Sequence, residues 1–140
     1  MRNLVFILVL ALTGLYACQE SGPQTTKLGN RFIVHTNGSG DAAKTGDFVY
    51  LHAAMRKQDS IIFNTRDNGG EPTAVQVPAD SLGSDRVGPV EDVLRGRKSG
   101  DSITVIVRID TLEFKPPGME DVDEIYYDLV ITDIVTEDEF

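Results

Sequence analysis

From Arg31 onward, apolar and polar residues alternate along most of the chain, and that two-residue period predicts strands. Between Asp47 and Met55, Val49, Leu51, Ala53 and Met55 fall on one face, with Phe48, Tyr50 and His52 on the other. Ser102–Asp110 puts Ile103, Val105, Val107 and Ile109 on a single face, and Ile125–Ile131 repeats this with Tyr127, Leu129 and Ile131. Arg31–Thr36, Ile61–Phe63 and Thr73–Val77 are shorter strand candidates, and β-branched Ile61 and Ile62 suit a pleated surface. One segment changes period. Pro89 fits the first turn of a helix, where a missing N–H does no harm, and Val90, Val93 and Leu94 follow at i, i+3 and i+4. Lys98 and Gly100 supply an end signal, so the helix is expected to run about three turns. A helix that short is unstable alone and must pack on something. Together these segments predict an α+β fold, a curled antiparallel sheet of five to six strands wrapped around one short helix.

The N-terminal stretch obeys neither period. Met1-Arg2-Asn3 is a positively charged start, and Leu4–Leu15 is an almost unbroken apolar run, too short to cross a bilayer's ~30 Å hydrocarbon layer comfortably. It ends in Leu15-Tyr16-Ala17-Cys18, which resembles the lipobox of bacterial lipoproteins, with Tyr16 in a slot that is usually small. The resemblance implies that residues 1–17 are a signal peptide and that Cys18 becomes an acylated N-terminus. Cys18 is the only cysteine, so no intramolecular disulfide can form. Acyl chains contribute about 0.8 kcal/mol per buried CH₂, so several of them hold a protein on a membrane without a spanning helix. The expected location is the bacterial cell envelope, lipid-anchored on the periplasmic or surface side of a membrane. Gln19–Asn30, rich in Gly, Thr, Gln and Ser, reads as a flexible tether, so residues 18–30 are lipidated cysteine plus tether. Residues 31–136 are the expected folded domain, and 137–140 an acidic, solvated tail.

Charge narrows the partners. The 140 residues, enough for one domain with a real core, carry 22 Asp plus Glu against 13 Lys plus Arg, which disfavours nucleic-acid backbones. Removing residues 1–17 takes away Arg2 alone and leaves 12 basic against 22 acidic residues, a net charge of −10. So acidic a domain is repelled by anionic headgroups, which leaves the anchoring to the lipid.

Several chemical motifs fail on inspection. Gly38–Thr45, G-S-G-D-A-A-K-T, nearly fits a phosphate loop, but Ala43 stands at the required second glycine and a strand follows where a helix should. Glu120, Asp121, Asp123 and Glu124 offer oxygens but lack the glycine and terminal Glu of a calcium loop, so a solvated loop is the better reading. His35 and His52 lie on different strands without a cysteine partner, and His52 falls on the face assigned to the sheet surface. No metal or other cofactor is expected, and no Ser-His-Asp order is legible.

The order of elements carries more. A strand opened by Gly46-Asp47-Phe48-Val49 leads to an apolar-Phe-x-Thr strand, Gly70-Glu71-Pro72 and a short helix near Gly88-Pro89-Val90. Gly100-Asp101-Ser102-Ile103-Thr104-Val105, Pro116-Pro117 and Tyr126-Tyr127-Asp128-Leu129 follow. This resembles the FKBP-type peptidyl-prolyl cis-trans isomerases, in particular exported bacterial lipoprotein members, over about residues 31–136. The resemblance implies a shallow apolar cleft between sheet and helix. There the X–Pro amide would rotate over a barrier of ~18–20 kcal/mol without base, metal or cofactor. The implied site residues are Phe63 and Tyr127 as aromatic walls, Asn64 where the family usually has Asp, and Val87 as an aliphatic wall. Val90 stands where the family has a floor Trp, and Phe114 lies in a shortened loop before Pro116. Ala53 replaces a common Tyr, and Thr73 or Ala74 a Phe, so most of the aromatic cup is absent. Two readings of Phe63 and Asn64 remain open: the rim of a catalytic site, or a core aromatic followed by a turn cap.

Three functions follow from these readings. One is an isomerase assisting the folding of envelope proteins, acting on proline-containing polypeptide. Another is an inactive FKBP-like binding or chaperone module for an envelope partner protein. The third is a structural component of a membrane complex.

Overall fold

The computed structural model describes residues 22–140; the signal peptide expected over 1–17, Cys18 and residues 19–21 lie outside them. The strands are β1 (Gln24–Thr25), β2 (Arg31–Thr36), β3 (Phe48–Lys57), β4 (Ser60–Asn64), β5 (Thr73–Gln76), β6 (Ser102–Arg108) and β7 (Glu124–Val135). One helix, α1 (Pro89–Val93), stands between β5 and β6. The strands form a single antiparallel sheet in the order β1-β2-β6-β7-β3-β4, with β5 pairing β3 beyond the end of β4. All six strands expected from alternation are present. The seventh is β1, so the count is seven where five to six were expected.

Alternation predicted the buried face well. Val49, Leu51, Ile103, Val105, Leu129 and Ile131 are all within 2% of complete burial and meet Val93 and Leu94 below α1. Each such side chain contributes roughly 1.5–3 kcal/mol by leaving water. A second, smaller cluster, Ile109, Met119, Val122 and Ile125, lies under the 109–123 loop, and Tyr127 packs against both clusters. Lys57 pins this loop from the end of β3 by donating to the Gly118 carbonyl (2.5 Å).

The structure corrects two expectations. α1 ends at Val93 rather than near Lys98, because Gly96 takes a left-handed φ of 83° and its N–H donates to the Ala43 carbonyl instead of extending the helix. The 22–30 segment is docked: β1 pairs with β2, and the Thr26 hydroxyl and Asn30 amide both donate to the buried Asp92 carboxylate. The 137–140 tail, exposed throughout, folds back toward the sheet. Phe140 stacks on Phe48 with centroids 3.7 Å apart, and Glu139 accepts from the Thr136 N–H and hydroxyl.

Gly38 shows how tightly the sheet end is closed. A Cβ there would sit 2.6 Å from the Ser99 carbonyl carbon and 2.8 Å from the Asp101 nitrogen. Buried Asp101 seals the same junction by accepting from the Gly38 and Lys98 amides (2.6 and 2.8 Å).

Candidate functional site

Register assembles the site. Phe32 pairs with Val105, Val105 with Tyr127, Tyr127 with Met55, and Met55 with Phe63. Cross-strand partners share a face, so these five side chains form one transverse row across the sheet. Phe32 and Val105 belong to the main core, which makes this the face that α1 covers. The row runs from that core through Tyr127 to Phe63 at the sheet's end, where Phe63 is 45% exposed. Tyr127 and Met55 are half-buried against the smaller cluster under the 109–123 loop, and of the row only Phe63 is exposed. On the helix, Val90 is half-buried and packs against the main core.

The other expected residues are placed differently. Val87 is buried and lines a cavity of about 230 Å³ with Leu28, Pro78, Ala79 and Leu82, which holds none of the other five. Phe114 projects into solvent at 84% exposure. Asn64 caps its own turn. Its Oδ1 accepts the Arg66 N–H (3.0 Å) and its backbone carbonyl accepts the Asp67 N–H (3.1 Å). The side-chain acceptor is thus engaged locally, and the amide NH₂ remains as a donor.

Two neighbours escaped the sequence reading. Met55 was legible as inward-facing but not as the link between Phe63 and Tyr127. Thr65, 8% exposed, closes the gap between β4 and β5: its N–H donates to the Ala53 carbonyl and its Oγ1 accepts the Ala53 N–H (both 3.0 Å). His52 Nδ1 lies 3.2 Å from the same Oγ1, so His52 is half-buried and tied down, not a free surface residue. The signal for Thr65 was its place directly after the strand, where a hydroxyl can serve a backbone group.

The opposite face is polar and fixed. Thr104, 4% exposed, lies 2.7 Å from His35 Nε2 and donates to Asp128 (2.6 Å), whose other oxygen accepts from Arg56 Nε (2.7 Å). Arg56 in turn lies over the Tyr126 ring, 4.6 Å from its centre. Burial pushes the Asp128 carboxyl up, but the bonds from Arg56 and Thr104 overcome this and hold it below the usual carboxylate range. Among the described residues, no group of three or more His, Cys, Asp or Glu is placed to hold a metal ion.

Three solved structures share this arrangement of sheet and helix. FkpA from Escherichia coli superposes with a TM-score of 0.61 at 20% identity, over 85% of this chain and 54% of that one. A peptidyl-prolyl cis-trans isomerase from Pseudomonas syringae pv. tomato gives 0.58 at 13% identity, over 84% of both chains. The three FKBP domains of wheat FKBP73 give 0.59 at 13% identity, over 81% of this chain and 51% of that one. This chain has an FKBP-like fold. It spans about half the length of the FkpA and FKBP73 chains. No protein-family model matches the sequence, and among curated proteins there is no significant match. The aromatic residues of the row are Phe32, Tyr127 and Phe63.

Proposed function

We propose that the protein is an exported, lipid-anchored peptidyl-prolyl isomerase of reduced catalytic power, acting on proline-containing segments of envelope proteins as they fold. The observation that carries this reading is the Phe63–Met55–Tyr127 row, exposed at its Phe63 end, in a fold shared with a known peptidyl-prolyl isomerase. The physics asks for little more. A twisted X–Pro amide has lost the resonance that polarises the planar form, so an apolar, dehydrated surface accepts it better than the ground state. Phe63 and Tyr127 would supply that surface, and Met55 would adapt to the ring between them. The Asn64 NH₂ would donate to the substrate carbonyl, which a carboxylate at this position could not do. Without a floor Trp the cup is shallow, and the rate enhancement is correspondingly small.

A second reading keeps binding and drops catalysis. It is favoured by one observation, the engagement of the Asn64 oxygen in its own turn, which is what a plain turn cap does. Exchange NMR on a proline-containing peptide separates the two. Catalytic amounts of the protein should produce cis–trans exchange cross-peaks under the isomerase reading. Shift changes in the peptide without exchange peaks would leave only the binding module.

A further inference from the structure

Two of the chain's five asparagines are followed by glycine, Asn37-Gly38 and Asn68-Gly69. That dipeptide is prone to modify itself. The deprotonated backbone nitrogen of the glycine attacks the asparagine Cγ, and glycine has no Cβ to obstruct the approach. Both asparagines are exposed, so exposure does not distinguish them. Their glycines do.

Gly38 is locked. Its N–H donates to the buried Asp101 carboxylate (2.6 Å), and the next amide, that of Ser39, donates to the Ser99 carbonyl (3.0 Å). On the other side Thr36 pairs with Ser102. The 37–38 peptide plane therefore cannot turn toward the Asn37 side chain unless this end of the sheet opens. A carboxylate on the N–H also opposes its deprotonation, because it faces the developing anion with a second negative charge.

Gly69 has neither restraint. Among the described residues its N–H has no hydrogen-bond acceptor, and a Cβ built on it would meet nothing within 4 Å. It follows the last bonded amide of its turn, that of Asn68, which donates to the Thr65 carbonyl (3.2 Å), and the chain re-enters the sheet only at Thr73. Asp67 and Glu71, its nearest acidic neighbours in sequence, are exposed and accept no bond from it.

We propose that Asn68 is a site of spontaneous deamidation and isoaspartate formation in the folded protein, and that Asp101 protects Asn37 from the same reaction. The Gly69 N–H loses its proton to water, and its nitrogen forms a bond to Asn68 Cγ. The Cγ–Nδ2 bond breaks, the departing nitrogen takes up protons from water and leaves as ammonia, and a succinimide ring remains. One water then opens the ring. Attack at Cγ leaves aspartate; attack at the Asn68 backbone carbonyl carbon leaves isoaspartate, with the main chain running through Cβ and Cγ. Either product adds one negative charge to a chain of net charge −9, and isoaspartate lengthens the backbone of the turn that follows Phe63 and Asn64.

Trypsin separates the two sites, since Asn37 falls in the 32–44 peptide and Asn68 in the 67–86 peptide. The folded chain is held in mildly alkaline buffer, sampled over time and digested, and mass spectrometry follows the amide-to-acid conversion at each site. Asn68 should convert in the folded protein at a rate close to that in the same chain unfolded in urea. Asn37 should convert at least about tenfold more slowly than Asn68, because opening a bond to a charged carboxylate costs more than the ~1.4 kcal/mol that tenfold represents. In urea the two rates should converge. Equal rates in the folded chain, or an Asn68 slowed as much as Asn37, overturn the proposal. Asp101→Ala, with its fold checked by circular dichroism, should speed Asn37 and leave Asn68 unchanged; a folded variant that still protects Asn37 overturns the role of Asp101. Hydrogen exchange makes the same comparison without a substitution. The Gly38 amide should be protected and the Gly69 amide should not, and a protected Gly69 contradicts the mechanism.

Discussion

Asp92 offers the most direct energetic test of how the N-terminal strap is held. Its carboxylate is 4% exposed, and one oxygen, Oδ2, receives both the Thr26 hydroxyl and the Asn30 amide, the latter at 2.7 Å. Replacing it with Ala removes both bonds. Hydrogen bonds to a charged group contribute about 1.5–3 kcal/mol each, but Thr26 and Asn30 are only half-buried and water can replace part of the loss. Removing the carboxylate also relieves the cost of burying its charge. The expected net destabilisation is therefore about 2 kcal/mol, which for a domain of this size lowers the melting temperature by roughly 6–10 °C.

Asp92→Asn is the informative companion. Its single carbonyl oxygen can occupy the Oδ2 position and accept from both donors, so only the charge assistance disappears, about 1 kcal/mol. Thermal unfolding of residues 19–140, followed by far-ultraviolet circular dichroism, should rank wild type above Asn above Ala. Hydrogen exchange should show the Thr26 and Gly29 amides, bonded within the strap at 2.9 and 3.0 Å, losing protection first in the Ala variant. An Ala variant that melts with wild type, or that keeps full strap protection, would refute the latch.

Other parts of the account are open to equally simple checks. Val90→Trp, which puts an aromatic on α1, should raise isomerase turnover several-fold while the fold is retained; an unchanged or lower rate argues against Val90 as cleft floor. Asp128 carries a pH signature. Its folded pKa is depressed below an unfolded value of about 3.9, so the unfolded state binds the proton first, and stability present above that value is lost as pH falls through the folded one. Asp128→Asn should therefore cost most at neutral pH, roughly 1 kcal/mol given its partial exposure, and least near pH 2, as read by urea unfolding. A gap independent of pH would contradict that assignment. Gly38→Ala forces a Cβ against Ser99 and should destabilise by ~2 kcal/mol or more, with no loss indicating that the sheet end yields freely.

Long alternating strands were legible because burial imposes their period. Val49 and Leu51, Ile103 and Val105, Leu129 and Ile131 are the sequence's own alternants, and all are core. β1 was not legible, since Gln24 and Thr25 bury nothing and are ordered only by pairing with Phe32 and Arg31. The helix was overextended because Val93 and Leu94 keep a helical period up to the point where Gly96 turns left-handed and bonds to Ala43. Site geometry was legible in part. Phe63 and Tyr127 share a row, but their common neighbour Met55 is fixed by register, which no local pattern states. Asn64 left its two readings open because a cap and a substrate donor draw on different atoms of one amide. Phe114 had no burial period to place it, and it stands in solvent.

The most direct test of the function is the cis-to-trans relaxation of a proline peptide in the presence of residues 19–140. The uncatalysed reaction takes about 10–100 s at 25 °C, slow enough for a weak catalyst to show. Catalysis at Phe63 predicts a rate that rises in proportion to protein concentration and falls back toward the buffer value with Phe63→Ala. A wild-type rate equal to buffer, or a Phe63→Ala variant as fast as wild type, would contradict it.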